Sequence, residues 1–391
     1  MTTLPTTARV TYPMIALVSN GFQSDYEAGF TNGLAANGLT PVLVSSDRTL
    51  VERLLPSVVV LNLRGSQEEN RPAWQKAGQI VFYLLRLAFF LARHRPITHL
   101  TGMFAFSRLK GRRSEAMWAF ECHAWKLLSR RLLLTVHNVL PHGRDTPELR
   151  QRMREIYKIP DRLVVHTDRM KQRLIDEFDV EPTRIAVMQH GIDCIASAPQ
   201  ERIATTRTAL GASPSQKLVL CFGIVQRYKG VDMLIDAASH LGADTRIHVA
   251  GRCSDTAYQT ELEAMLNAQT GEVRVTWDNQ WLSEVRVDEL LAAADLLVLP
   301  YRHIDQSGVL FAAMRHGLPV VAFDVGSLRQ YLDGGMGIVV EQGNTVAFAE
   351  AVQRIDCSVA ARSKVREYAQ QFLWSATVIP ILNEYQGELI C

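Results

Sequence analysis

The sequence predicts an α/β fold of two Rossmann-like domains facing a central cleft, and three observations carry that expectation. Short apolar runs alternate with helix-spaced patterns along most of the chain, which is the pattern of parallel sheets joined by right-handed crossovers. The runs fall into two series, separated by a stretch, Ala196–Pro214, that is richer in small and polar residues. A length of 391 residues suits two domains of ordinary size.

The first series predicts strands at Met14–Val18, Pro41–Val44, Val58–Leu61, Thr98–Leu100, Leu132–Val136, Arg162–Val165 and Ile185–Val187. The second predicts Lys217–Phe222, Arg246–Val249, Glu272–Val275, Leu296–Leu299, Val320–Phe323 and Gly337–Val340. Residues 1–198 are expected to form an N-terminal Rossmann-like domain and residues 199–371 a second one. The tail from Phe372 has helix-like spacing at Trp374, Val378, Ile381 and Tyr385, so 372–391 is expected to be a helix packing back on the first domain.

A hydrophobic content of 47% with 21% charged residues is that of a globular protein with sizeable cores. Six scattered cysteines, Cys122, Cys194, Cys221, Cys253, Cys357 and Cys391, form no CxxC pair. They point to neither a zinc site nor a disulfide framework, and suit a reducing cytoplasm. The Met14–Val18 run is too short for the apolar core of a signal peptide and reads as a strand.

The net charge of +2 hides an asymmetry. Residues 1–200 hold 26 Lys and Arg against 18 Asp and Glu, and residues 201–391 hold 16 against 22. Within 86–131 the count is 10 against 2, interleaved with Phe89, Phe90, Phe104, Phe106, Trp118, Phe120 and Trp125. A basic, aromatic-rich segment suits an anionic membrane surface. A core helix with a solvated basic face accounts for the same residues. Nucleic-acid binding is disfavoured by the acidic second half. The apolar stretch Ile80–Ala92 is 13 residues long and interrupted by Arg86, too short to span a bilayer.

In open α/β sheets ligands sit beyond the carboxyl ends of the strands. There the most informative stretch is Phe222-Gly223-Ile224-Val225-Gln226-Arg227-Tyr228-Lys229-Gly230. It joins a buried strand to a helix, with two cations between bracketing glycines. Helix N-terminal N–H groups favour anions, and Arg and Lys neutralise phosphate. Gln306-Ser307-Gly308 precedes another helical pattern and offers further N–H groups and a hydroxyl, although a plain serine cap fits equally. His137 and His142 follow a first-domain strand, where an imidazole can bond a hydroxyl or act as a base. No carboxylate or cysteine stands at metal-ligand spacing from them. Asp25 and Glu27 supply carboxylates after the first strand, as a general base or as surface acids of a first helical turn.

On these residues the sequence resembles the GT-B glycosyltransferases, close to family 4 and its relatives in polysaccharide assembly. The resemblance lies in Thr135-Val136-His137-Asn138-Val139-Leu140-Pro141-His142, Asp161–Thr167, Lys171–Leu174 and His190-Gly191-Ile192-Asp193. It continues in Phe222–Gly230, Val249-Ala250-Gly251, Ala294–Tyr301, Ser307-Gly308-Val309, Gly317–Val321 and Asp324–Ser327. It implies a UDP- or GDP-sugar donor held mainly by the second domain, with Arg227 and Lys229 neutralising the diphosphate. Gly223, Asp305, Gln306, Ser307, Gly308, His190 and Gly191 would complete the donor site. His137 would face the reaction centre. Asn138, His142, Arg108 and Arg112 would meet a glycan or polyprenyl-diphosphate-linked acceptor. No metal or other cofactor is implied, because the two cations serve the leaving group. The donor base would lie near Arg252 or Asp278–Trp281.

One departure matters. Most members carry two glutamates eight positions apart before Gly-x-Pro-Val-Val, and those positions here are Ile304 and Ala312. The retaining chemistry of common members loses support, and an inverting transfer with Asp25, Glu27 or His137 as base is preferred. The expected protein is a metal-independent transferase of cell-surface polysaccharide synthesis, cytoplasmic and peripheral on the inner face of the plasma membrane. A sugar-nucleotide epimerase and an inactive binding module of an assembly complex are the alternatives.

Overall fold

The computed structural model describes residues 13–19, 24–67, 71–101, 112–141, 145–196, 199–273, 275–305 and 307–386, and of Ser24, Ala73 and Arg112–Ser114 the backbone alone. The chain divides into two units, Met1–Gly191 with Trp374–Cys391, and Ile192–Leu373.

The first unit runs β1 (Ile15–Val18), α1 (Ser24–Ala36), β2 (Pro41–Ser45), β3 (Val59–Asn62), α2 (Ala73–His94), β4 (Ile97–Leu100), α3 (Arg112–Leu128), β5 (Arg131–Thr135), α4 (Pro147–Tyr157), β6 (Arg162–Val165), α5 (Asp168–Phe178) and β7 (Ile185–Val187). The second runs α6 (Gln200–Ala209), β8 (Lys217–Phe222), α7 (Val231–Ala238), β9 (Thr245–Ala250), α8 (Thr256–Asn267), β10 (Val275–Asp278), α9 (Glu284–Ala293), β11 (Leu296–Leu299), α10 (Gly308–His316), β12 (Val320–Phe323), α11 (Leu328–Leu332), β13 (Gly337–Val340), α12 (Thr345–Arg354) and α13 (Val359–Ala369). A short α14 (Trp374–Thr377) then belongs to the first unit.

Both sheets are parallel at every pairing, as the predicted alternation requires. The seven-stranded sheet has the order β3-β2-β1-β4-β5-β6-β7 and the six-stranded one β10-β9-β8-β11-β12-β13. Helices cover both faces, so central strands such as Ile15–Val18, Leu296–Leu299 and Val320–Phe323 are buried at every residue. Strand order reverses at β1/β4 in the first sheet and at β8/β11 in the second. Crevices for ligands form at such switch points, beyond the carboxyl ends of the strands.

Two expectations need correction. The tenth strand is Val275–Asp278, not Glu272–Val275. Val273 is buried as expected, but pairing with β9 begins at Val275↔Ile247, and the Trp277 indole anchors the far end on the Gly251 carbonyl at 3.0 Å. The tail does return to the first unit, but not as one helix. α14 is four residues long, and a 3-10 stretch, Ile379–Glu384, follows it. Pro380 lacks the N–H that a continuing α-helix needs. The tail is held by Tyr385, whose hydroxyl meets His99 Nδ1 at 2.5 Å, and by Glu384, which pairs with Arg131 and Arg162.

Candidate functional site

In the first unit the loops after β5, β6 and β7 bring three imidazoles together around Tyr26 of α1. The Tyr26 ring lies 4.7 Å from His137, 5.6 Å from His166 and 5.3 Å from His190, and Trp374 closes the far side at 5.0 Å. Gly191 lies flat on that indole: a Cβ there would stand 2.2 Å from Trp374 Cδ2.

Proton counting defines what this cluster can do. His137 Nε2 lies 2.9 Å from the Thr101 carbonyl, and His166 Nδ1 lies 2.9 Å from the Met188 carbonyl. Carbonyls only accept, so each imidazole spends its one N–H outward. The remaining nitrogens, His137 Nδ1 and His166 Nε2, face each other at 3.3 Å. In the neutral pair both carry lone pairs, and one added proton would bridge them. Burial lowers the proton affinity of both rings, with a hydrogen bond to the Thr101 carbonyl opposing it at His137. The pair is therefore neutral near pH 7 and has room for one proton.

The two carboxylates expected as bases, Asp25 and Glu27, are engaged elsewhere. Glu27 is buried and accepts hydrogen bonds from Ser19 at 2.5 Å, Ser45 at 2.5 Å and Thr49 at 2.8 Å. Asp25 points to the surface and pairs with Arg53 at 2.6 Å. Asn138 is half-buried beside His137. His142, Arg108 and the Arg112 side chain lie outside the described residues, although Arg112 opens α3.

In the second unit the loops after β8 and β11 flank the switch point and meet. A 3-10 turn, Arg227–Lys229, ends at Gly230 with φ 65°, where a Cβ would stand 1.9 Å from the Pro300 carbonyl oxygen. No L side chain fits that turn, so glycine brings it down on the end of β11. Lys229 is thereby drawn inward and is 8% exposed. Its ammonium lies 3.4 Å from the Tyr301 hydroxyl and 5.2 Å from the ring centroid. It also lies so close to Gly223 that a Cβ there would stand 2.5 Å from Nζ. Tyr301 is itself buried and shares a hydrogen bond with Ser307. Ser307 stands at the N-cap position of α10 without a side-chain capping bond, and Gly308 begins the helix with open space where a Cβ would stand.

Gly223, Lys229, Ser307 and Gly308 thus gather at one place. Desolvation lowers the Lys229 pKa from its ordinary value. Among the described residues no carboxylate pairs with it. Arg227 does not join the group: its guanidinium pairs with Glu261 at 2.7 Å and lies 4.7 Å from the Tyr258 ring centroid. Asp305 is half-buried nearby, and Gln306 lies outside the described residues.

Sequence reading missed the brace beneath this loop. Asp232 takes both guanidinium nitrogens of Arg302, one at 2.9 Å, and the Tyr258 hydroxyl at 2.6 Å. Arg302 in turn donates to the Arg227 carbonyl at 2.7 Å, so the two loops are tied together. The Asp and Arg lie 70 positions apart, and no local pattern announces the pair. Ile304 is buried and Ala312 packs on the core, so both glutamate positions hold apolar residues. Near the proposed base site, Asn279 accepts from the Cys253 N–H, and Trp281 is exposed. Among the described residues no group of three or more His, Cys, Asp or Glu is placed to hold a metal ion.

Comparison with known proteins agrees with the fold. The family model described as "Glycosyltransferase Family 4" matches residues 29–195, and "Glycosyl transferases group 1" matches 216–356. A D-inositol 3-phosphate glycosyltransferase of Geodermatophilus obscurus is 27% identical over 377 residues, spanning 90% of this chain and 80% of that protein. Its namesake from Mycolicibacterium gilvum is 30% identical over 263 residues, but the match spans only 58% of it. Among solved structures, Anabaena HepE in complex with UDP and glucose superposes with a TM-score of 0.69 at 16% identity, covering 95% of this chain and 98% of that one. The catalytic domain of Arabidopsis thaliana starch synthase IV, bound to ADP and acarbose, gives 0.70 at 14% identity, covering 96% and 98%. At those identities the likeness is one of fold.

Two parallel-sheet Rossmann-like units with these matches define a glycosyltransferase of the GT-B class. Within that class the chain resembles family 4, whose model matches most of the first unit, while the group 1 model matches most of the second. This assignment favours the transferase over the epimerase and the inactive module.

Proposed function

We propose that this chain moves a sugar from a UDP- or GDP-sugar to a glycan or polyprenyl-diphosphate-linked acceptor in cell-surface polysaccharide assembly, with inversion and without a metal. Lys229 carries the donor reading. A buried ammonium with no carboxylate partner among the described residues is costly unless an anion compensates it. It sits between the Gly223 turn and the open N-terminus of α10, both suited to phosphate oxygens. The nucleotides named with the HepE and starch synthase structures support the same class of ligand.

For the transfer, the acceptor hydroxyl oxygen bonds to the anomeric carbon as the bond to the diphosphate oxygen breaks. The electron pair leaves on the diphosphate, where Lys229 and the α10 N–H groups stabilise it in place of a metal. The hydroxyl proton goes to the Nδ1 lone pair of His137, where the facing lone pair of His166 Nε2 then shares it. Glu27 and Asp25 are spent on hydroxyls and Arg53, which leaves the imidazole as base. Ile304 and Ala312 remove the acidic groups on which the common retaining members rely.

A second acceptor reading follows the names of the relatives: a phosphorylated inositol. A thermal-shift panel of UDP-, GDP- and ADP-sugars should show one donor raising the unfolding midpoint. Labelled donor is then given to lipid-linked glycan or inositol phosphate, and anomeric configuration is read by NMR. Absence of stabilisation by every nucleotide-sugar would defeat the donor reading, and retention of configuration would defeat the inverting one.

A further inference from the structure

α2 and α3 lie on one face of the first sheet. Tyr83, Leu87 and Leu91 of α2 share a core with Trp118, Cys122 and Trp125 of α3. The opposite face of α2 is the unusual one. Trp74, Val81, Phe82, Leu85 and Phe89 are all exposed, Trp74 at 74% and Phe89 at 75%. At 100° per residue these five fall within an arc of roughly 100°, so they form one outward stripe about 22 Å long. Gly78 and Ala92 fill the same arc. Phe120 and Leu127 of α3, also exposed, add a second row. A soluble surface does not keep seven large apolar side chains on two neighbouring helices without a use for them.

The charges around this face choose its occupant. α2 contains no Asp or Glu, and the two acids of α3, Glu115 and Glu121, are both buried. Arg86 and Arg93 run along one edge of the stripe, and Arg95 and Arg130 stand exposed near the helix ends. The exposed part of these two helices is therefore apolar and cationic. A second copy of the chain would bring cations against cations. An anionic lipid surface complements both properties at once: side chains enter the headgroup boundary while arginines meet phosphates. Among the described residues no helix is long and apolar enough to cross a membrane. Its inner face is committed to the core, so α2 lies along such a surface rather than through it.

We infer that the outer face of α2, extended by Phe120 and Leu127, docks this protein on anionic lipid bilayers. The inference is independent of the donor reading, since none of these residues lies in the second unit. It is tested on the full chain by flotation with vesicles of phosphatidylcholine alone or with about 30% phosphatidylglycerol. The wild type should float with the anionic vesicles and bind at least ~10-fold less to the neutral ones. Leu85→Ser with Phe89→Ser should cut binding at least ~10-fold, with an unchanged circular dichroism spectrum and unchanged donor stabilisation. Arg86→Gln with Arg93→Gln, which spares every apolar contact, should weaken binding about fivefold per arginine and flatten its salt dependence. Equal binding by both variants, or a wild type left in the lower fraction, would overturn the inference. So would a solution dimer that Leu85→Ser with Phe89→Ser converts to monomer, because the face would then belong to a second copy.

Discussion

The two sheets end differently at their carboxyl edges. The first unit collects neutral rings there: Tyr26 meets His137, His166 and Trp374 edge to face and His190 at a tilt, with almost no formal charge among them. The second collects a buried cation, glycine turns and an open helix N-terminus. The first surface can accept a proton and bond hydroxyls, and the second can hold an anion. A transfer needs both abilities, and each sheet supplies one of them.

This contrast can be broken from either side. The largest effect is expected from His137→Asn, which removes the proton acceptor but keeps a polar side chain. Turnover should fall about 10²-fold or more while the donor dissociation constant stays within about twofold, as measured by initial rates and calorimetry. His166→Phe should shift the acidic limb of the rate profile without touching donor binding, since it removes the nitrogen facing His137 and, with it, only a bond to the Met188 carbonyl of the same unit.

Lys229→Met should act in the opposite way. Donor affinity should weaken about 30- to 100-fold, the scale of a buried charge-assisted contact. Thermal stability should hold or rise, because an apolar isostere replaces a buried ammonium that has no carboxylate partner among the described residues.

The third test is pH. Burial lowers His99 and His190 from 6.5 to about 3, and His137 and His166 in the same direction. Between those values the unfolded chain binds more protons than the folded one, so stability rises with pH. The unfolding midpoint should be flat above pH 7 and fall steadily from pH 6.5 towards 4. A midpoint unchanged down to pH 4.5 would mean that the imidazoles are not buried as described.

Arg227→Ala is expected to be the mildest. Its guanidinium is half exposed and paired with Glu261, so the unfolding midpoint should not move. Any loss of donor affinity should be below about tenfold and should vanish with rising salt.

Much of the fold was legible because parallel strands buried on both faces appear as continuous apolar runs. Thr276 and Trp277 blurred β10, where alternation permits two frames. Pro380 broke a helix whose spacing otherwise looked regular. The Lys229 and Ser307 loops were legible for a local reason: glycines and a cap mark both ends of strand-to-helix turns. What stayed hidden depends on contacts between distant segments. Nothing near Glu27 tells that Ser19, Ser45 and Thr49 will surround it. Trp374 completes the imidazole cage from the far end of the chain. Arg227 looked like the twin of Lys229, yet two positions along a tight turn send one side chain inward and the other out to Glu261.

The central claim is that the Gly223–Gly230 loop holds the donor diphosphate and that Lys229 is its buried counter-charge. Calorimetric titration of the best nucleotide-sugar into wild type, Arg227→Ala, Lys229→Met and the double variant tests it most directly. Affinity should fall slightly in the first variant, about 30- to 100-fold in the second and further in the double, with all four proteins folded. A double variant that binds the donor as tightly as the wild type would contradict the account.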